Sequence, residues 1–366
     1  MTVDVSVVVG TRPEAIKCAP VILELRARGL NVRLVSSGQH ADLLSSTLRA
    51  FDLKADIDLQ AMTGTPDLSA LTTRLIERIG AELSASPPYL VLVQGDTTTA
   101  LAAALSAFYS RVPCGHIEAG LRSGRLDAPW PEEMNRIITD RLCTRHYAPT
   151  EGARTALQAE GIAAESILVT GQTGVDAAVW MAARQDAPSP RLMPFVGKRL
   201  IYVTAHRREN QGGRIADTLR GVCAALDKHT DCTAVLSAHP NPIVQAEVAQ
   251  VRHERLVVVP PLDYADSIWM LVNSAAVVSD SGGIQEEAPS FGTPVLVARD
   301  VTERPEGLAA GFIRMVGTQS LRVEAGLTEV LADSSLRNRL KAQPNPYGDG
   351  RAAGRIADDV LKLLGT

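Results

Sequence analysis

The chain has 366 residues, 45% of them hydrophobic, with a mean hydropathy near zero and a formal charge of −4 at pH 7. That length exceeds one ordinary core, so two domains are expected. The slight acidity without a Lys/Arg block argues against nucleic acid or anionic membrane as a partner, and no apolar run approaches the roughly 18 residues of a transmembrane helix.

Val3 to Val9 is a β-branched run ending at Gly10, the pattern of a strand buried on both faces of a parallel sheet. It carries no cationic leader, so it reads as a strand and not a signal peptide, and a cytoplasmic enzyme or binding protein is the expectation. G-T-R-P-E-A-I-K follows: Pro13 suits the first turn of a helix and Glu14 its positive end, with Ile16, Ala19, Ile22, Leu23 and Leu25 on the apolar positions. A second strand spans 32–36. Strand then helix recurs at 89–93 with 97–110, 166–170 with 175–183, and 200–203 with 215–226. The alternation continues with 234–237 and 242–251, 256–259 and 264–272, and 275–278 and 283–290. It predicts βαβ units, parallel sheets covered by helices, and ligands at the carboxyl ends of strands. By composition the best linker is Arg184–Lys198.

Between Tyr89 and Arg136 three carboxylates stand on the edges of neighbouring elements. Asp96 follows a strand in Q-G-D-T-T-T, Glu118 ends a short strand in H-I-E-A-G-L-R-S-G, and Glu132 opens a Pro-led helix in P-W-P-E-E-M-N-R. Each also has a plain structural reading. Asp96 suits an N-cap, and Glu132 and Glu133 suit a helix dipole; Glu118, at the end of an apolar strand, is costly without a partner. Together they offer acid and base groups whose proton affinities burial and repulsion can separate.

S-D-S-G-G-I-Q-E-E opens a helix after strand 275–278. Gly282 and Gly283 either let a phosphate approach backbone N–H groups or serve a tight turn, and this segment alone leaves the choice even. Glu286 and Glu287 are good first-turn residues or ribose ligands. Arg12 can clamp a phosphate, and His206, Arg207 and Arg208 add cations after strand 200–203.

Several chemistries are missing from the chain. Its five cysteines (Cys18, Cys114, Cys143, Cys223, Cys232) form no C-x-x-C pair, so neither a zinc site nor a disulfide framework is indicated. No Walker A, G-x-S-x-G or H-E-x-x-H motif is present. The loose G-x-G-x-x-A at Gly348–Ala353 leaves too little chain for a βαβ unit, so nicotinamide chemistry is not expected.

G-T-R-P-E-A-I-K, Q-G-D-T-T-T, H-I-E-A-G-L-R-S-G, P-W-P-E-E-M-N-R, A-H-R-R-E-N, S-D-S-G-G-I-Q-E-E-A-P-S, T-E-R-P-E and N-P-Y-G-D-G occur in that order. Over essentially its whole length the chain resembles the non-hydrolysing UDP-N-acetylglucosamine 2-epimerases. The resemblance implies an α/β fold of two Rossmann-like domains in a GT-B arrangement with an interdomain active-site cleft. Residues 1–171 with 354–366 would form the first domain and 172–353 the second, the last helix crossing back. It also implies a homodimer without metal or redox cofactor. The implied reaction inverts C2 of UDP-GlcNAc to give UDP-ManNAc, by anti elimination of UDP to a 2-acetamidoglucal and re-addition.

Carried onto matching positions, the resemblance makes Asp96, Glu118, Glu132 and His206 the catalytic set. Arg12, Lys17, Arg136, Arg207 and Arg304 would bind substrate, Ser281, Gly282 and Gly283 the diphosphate, and Glu287 the ribose. Relatives activated by a second UDP-GlcNAc use positions matched here by Gln39, His40, Arg74 and His239, but Asp42 stands where a second glutamine is expected. Gln172 replaces an asparagine, and Ser267 stands in place of an aromatic that would stack on uracil. A 2-epimerase of a modified UDP-sugar, such as a diacetamido-uronate, is the nearest alternative. A hydrolysing epimerase, a GT-B glycosyltransferase and a silent UDP-sugar sensor are weaker ones.

Overall fold

The run V-S-V-V-V forms β1 (Val5–Val9), all five residues buried, because helices cover both faces of the sheet it joins. The computed structural model describes residues 3–38, 41–62, 67–185, 187–205, 207, 210–302 and 304–365. Its chain divides into two units, Met1–Ala177 with Gly348–Thr366, and Ala178–Tyr347.

In the first unit, β1 is joined by β2 (Val32–Ser36), β3 (Ile57–Asp58), β4 (Leu90–Gln94), β5 (Cys114–Ile117), β6 (Arg145–Ala148) and β7 (Ile167–Val169). Their order is β3-β2-β1-β4-β5-β6-β7, every pairing parallel. The alanine-rich helix Thr98–Tyr109 packs closely on it, with Ala100, Ala102, Ala103, Ala104 and Ala107 fully enclosed among Val91, Val93, Leu75 and Ile79. The final helix, Ala352–Leu364, also belongs to this unit. There Asp359 accepts from Arg145 Nε at 2.7 Å and from the Tyr147 hydroxyl at 3.1 Å.

The second unit repeats the plan. β8 (Arg199–Ala205), β9 (Cys232–Ala238), β10 (Leu256–Val259), β11 (Ser274–Ser279), β12 (Val295–Val297) and β13 (Ile313–Met315) are all parallel, in the order β10-β9-β8-β11-β12-β13. Ile201, Val203, Leu219, Val222, Leu236, Val278 and Leu327 form its core. Both sheets reverse direction of growth at one point, between β1 and β4 and between β8 and β11. In doubly wound sheets ligands lie at that switch, outside the carboxyl ends of the strands.

The Pro-containing segment 184–198 is not a free linker. Among its described residues, Leu192 and Phe195 are buried. The Ser189 hydroxyl and N–H both donate to the buried Asp266 carboxylate, at 2.6 and 3.2 Å. Polar composition misled here because two buried apolar residues and one carboxylate suffice to dock a loop.

Candidate active site

Asp96 follows β4 but caps nothing. The N-cap of helix Thr98–Tyr109 is Thr97, whose hydroxyl accepts from Ala100 N at 3.1 Å. The Asp96 carboxylate is instead ion-paired to Arg136, and its carbonyl accepts from Asn135 Nδ2 at 2.9 Å. Both partners project from helix Glu132–Leu142.

That helix also separates its two leading glutamates. Glu133 is buried and takes N–H bonds from Ser123 at 2.9 Å and Gly124 at 3.0 Å, plus one from Arg136 at 3.2 Å. It pins the loop after Glu118. Glu132 is half-buried, and its Oε2 is enclosed without a hydrogen-bond partner among the described residues. A buried carboxylate oxygen left unpaired costs free energy, so this one is the candidate for work.

Glu118 ends β5 with φ of 69°, a left-handed conformation that a non-glycine residue adopts at a cost. Its carboxylate pairs with the Lys17 ammonium, the two side chains being 9% and 13% exposed. The expected burial cost of Glu118 is therefore met by a cation from helix Arg12–Ala27. Glu14 on the same helix does more than complement a dipole. It is buried, accepts from Gly10 N at 3.0 Å and Thr11 N at 2.6 Å, and takes the Thr97 hydroxyl at 2.7 Å. Burial raises its pKa against the pull of those bonds. Arg12, the first residue of this helix, is half-buried.

Beneath Asp96 and Glu118 lies a network absent from the sequence reading. His116 is fully buried, with Nδ1 2.6 Å from Asp140 Oδ1 and Nε2 2.8 Å from the Gly95 carbonyl oxygen. Asp140 also accepts from Arg122 at 2.8 Å and from Gly120 N at 3.3 Å. Burial opposes charge on both groups. Their mutual attraction, with Arg122, wins, holding the His116 pKa above and the Asp140 pKa below its ordinary value.

In the second unit the S-D-S-G-G turn follows β11. Neither Gly282 nor Gly283 has positive φ, so backbone angles do not demand glycine there. A Cβ on Gly282 would fall 2.5 Å from Arg304 Cζ, so the close approach of that guanidinium does. Arg304 donates through Nε and Nη2 to the buried Glu286, both at 2.8 Å. The helix Gly282–Glu287 thus opens beside an arginine with no side-chain cap among the described residues, which suits an anion. Ser281 is its N-cap; the Ser281 N–H is taken by Ser279 Oγ at 3.0 Å.

The neighbouring loops are braced against this turn. Asp280 is buried and accepts from Arg207 N at 2.8 Å and Asn210 Nδ2 at 2.9 Å, tying the loop after β8 to β11. Glu287 accepts from the Tyr264 hydroxyl at 3.1 Å. Asn345 donates to the Glu286 carbonyl at 2.9 Å, and the Tyr347 hydroxyl donates to the Arg304 carbonyl at 3.0 Å, which gives N-P-Y-G-D-G its purpose. Ser267 Oγ lies 3.1 Å from the Tyr202 hydroxyl. Arg74 stands half-buried on helix Leu68–Ala85 and His239 is exposed after β9. Gln39, His40 and His206, and the Asp42 side chain, lie outside the described residues. Among the described residues no group of three or more His, Cys, Asp or Glu is arranged to hold a metal ion.

His116, Asp140 and Asp280 were missed as individuals, and Glu14 was read only as a complement to the helix dipole. Each lies inside or close to a motif read for a neighbouring residue, and membership of those motifs was the available signal.

Known proteins share this plan along the whole chain. A family model described as UDP-N-acetylglucosamine 2-epimerase matches residues 23–361. A Ralstonia solanacearum protein is 42% identical over 366 residues, covering 96% of this chain and 97% of its own. The UDP-N-acetylglucosamine 2-epimerase of Escherichia coli K12 is 39% identical over 363 residues, covering 96% of each. The crystal structure of a Neisseria meningitidis UDP-GlcNAc 2-epimerase bound to UDP-GlcNAc matches with a TM-score of 0.90 at 38% identity, covering 98% of this chain and 100% of that one. With a family model across most of its length and relatives near 40% identity, this chain belongs to the UDP-N-acetylglucosamine 2-epimerase family.

Proposed function

We propose that the protein interconverts UDP-GlcNAc and UDP-ManNAc by anti elimination of UDP to a 2-acetamidoglucal, followed by re-addition with C2 inverted. The observation that carries this reading is the set of carboxylates following two neighbouring strands of one sheet and opening the helix after them. Asp96 is held by Arg136, Glu118 is held by Lys17, and Glu132 keeps an oxygen without a partner among the described residues. Removing the weakly acidic C2 proton on one face and returning one on the other needs at least two positioned acid/base groups. Departure of UDP needs N–H donors and cations where negative charge gathers; Ser281, Gly282, Gly283, Arg304, Arg207 and His206 are the candidates, with Glu287 for the ribose. Arg12 and Lys17 steady the substrate, and no cofactor takes part.

The proposal extends to a homodimer in the cytoplasm. Phe108, Tyr109, Met134 and Ile138, from helices Thr98–Tyr109 and Glu132–Leu142, are exposed large apolar side chains of the kind an interface covers. All five cysteines are free, as a reducing compartment keeps them. Among the described residues no helix is long and apolar enough to cross a membrane.

Incubation with UDP-GlcNAc in heavy water, followed by NMR, is the test. Deuterium at C2 together with UDP-ManNAc is expected, and Asp96→Asn or Glu118→Gln should abolish both while UDP still binds. Sugar transfer to an acceptor without C2 exchange would overturn the reading in favour of a glycosyltransferase. Because Ser267 offers a hydroxyl where an aromatic was expected, the assay should include a panel of modified UDP-sugars.

A further inference from the structure

His116 has no place in the chemistry above, yet it is buried among the groups that perform it. Its Nε2 lies 2.8 Å from the Gly95 carbonyl oxygen, which can only accept, so Nε2 carries a proton. Its Nδ1 lies 2.6 Å from Asp140 Oδ1. Asp140 takes further N–H bonds from Arg122 and Gly120, as an ionised carboxylate does, so Nδ1 carries a proton as well. A neutral imidazole has one N–H and would leave one of these buried contacts unmade.

We infer that His116 is a positioning residue, an imidazolium protonated on both ring nitrogens that sets the two strand-end turns bearing Asp96 and Glu118. The inference rests on the epimerase reading for its kinetic consequence alone. The geometry joins both turns. Gly95, with φ of 72°, immediately precedes Asp96, and its N–H donates to the Ile117 carbonyl at 3.0 Å. Glu118, with φ of 69°, follows Ile117, and its N–H donates to the Tyr147 carbonyl at 3.0 Å. The His116 bond to the Gly95 carbonyl closes this lattice and fixes the peptide plane from which Asp96 projects. Glycine adopts the left-handed turn at Gly95 freely, but the one at Glu118 is a conformation that surrounding contacts must hold. The titratable and charged groups around the ring are Asp140 on helix Glu132–Leu142, with Arg122 behind it, Glu118 just past the end of the same strand, and His146 opposite on β6, which burial holds towards its neutral form. The two carboxylates outweigh burial, which is why the charge persists.

Two measurements test this. Nitrogen NMR of the 366-residue chain labelled at its seven histidines should show one ring protonated on both nitrogens at about pH 7, above the ordinary histidine value; its loss in His116→Asn assigns it. A bare nitrogen on His116 at that pH overturns the inference whatever reaction the enzyme performs. For His116→Asn, kcat should fall about 100-fold with KM and UDP affinity little changed, since displacing a reacting group by about 1 Å costs that much. His116→Gln, whose amide can still reach the Gly95 carbonyl, should recover part of the loss, and the acidic limb of its kcat/KM profile should move to higher pH because a buried cation has gone. Equal losses in both variants, with UDP binding lost alongside, would reduce His116 to packing. Failure of the wild type to exchange C2–H would sink the epimerase reading and leave the NMR result standing.

Discussion

The Lys17 ammonium meets the Glu118 carboxylate across 101 residues of chain, joining the first helix of the first unit to the end of β5. Lys17 was expected to serve the substrate; its position makes it first a partner of Glu118, the group proposed to act as acid or base. Gly174 packs beside it, an added Cβ there lying 3.6 Å from Lys17 Cε. Lys17→Met should therefore lower kcat by about 100-fold through a mispositioned Glu118. Steady-state kinetics with an independent UDP titration will check this: a rise in KM alone, with kcat preserved, would return Lys17 to simple substrate binding.

Glu132 and Glu133 should separate cleanly on substitution. Glu133→Gln loses charge-assisted bonds to the 123–124 loop and should cost about 3 kcal/mol of stability. Glu132→Gln should leave the melting temperature near that of the wild type and remove C2 exchange, because its Oε2 holds no other described residue in place. Thermal melts and deuterium incorporation on the pair decide; the opposite pattern would exchange their roles.

Gly282→Ala should act on UDP affinity. The new methyl meets the Arg304 guanidinium and drives it off the helix start. Losing one charge-assisted contact weakens binding by about 10- to 100-fold. Calorimetric titration with UDP measures it, and unchanged affinity would show that Arg304 stays clear of the diphosphate. Gly283→Ala is the control, since among the described residues an added Cβ there has only Ser281 Oγ within reach, at 3.9 Å.

Asp176 should make stability depend on pH. Its Oδ1 accepts from Ala353 N at 2.8 Å, and its Oδ2 is buried without a partner among the described residues. Burial pushes its pKa from 3.8 up to about 6, against the backbone N–H bonds it accepts. Between those values the native state binds more protons than the unfolded one. Stability is thus full below about pH 4 and falls as pH climbs through 6, by about 3 kcal/mol in all. Asp176→Asn should consequently raise the melting temperature at pH 7 and confer no gain at pH 4. A gain that ignores pH would contradict the assignment.

The sequence carried the architecture well where apolar, β-branched runs were unbroken, as at 3–9, 200–203 and 275–278. It passed over β3, β6, β12 and β13, each two to four residues long, because so short a run has no period to read. It assigned Asp96 a possible cap when Thr97, one residue on, holds that bond. Adjacent cap formers cannot be told apart until the turn is built.

What the sequence determined alone is the chemical inventory: the β-branched runs that make parallel strands, the family motifs in order, and the carboxylates Asp96, Glu118 and Glu132. Those follow from residue type and local spacing. Tertiary structure alone decided which of these groups are spoken for. Arg136 goes to Asp96, Lys17 to Glu118, Glu133 to a loop, and His116 between Asp140 and Gly95. Each partner comes from a different strand or helix. An ion pair acts over a few ångströms, and only the folded sheet brings residues from distant stretches of chain that close.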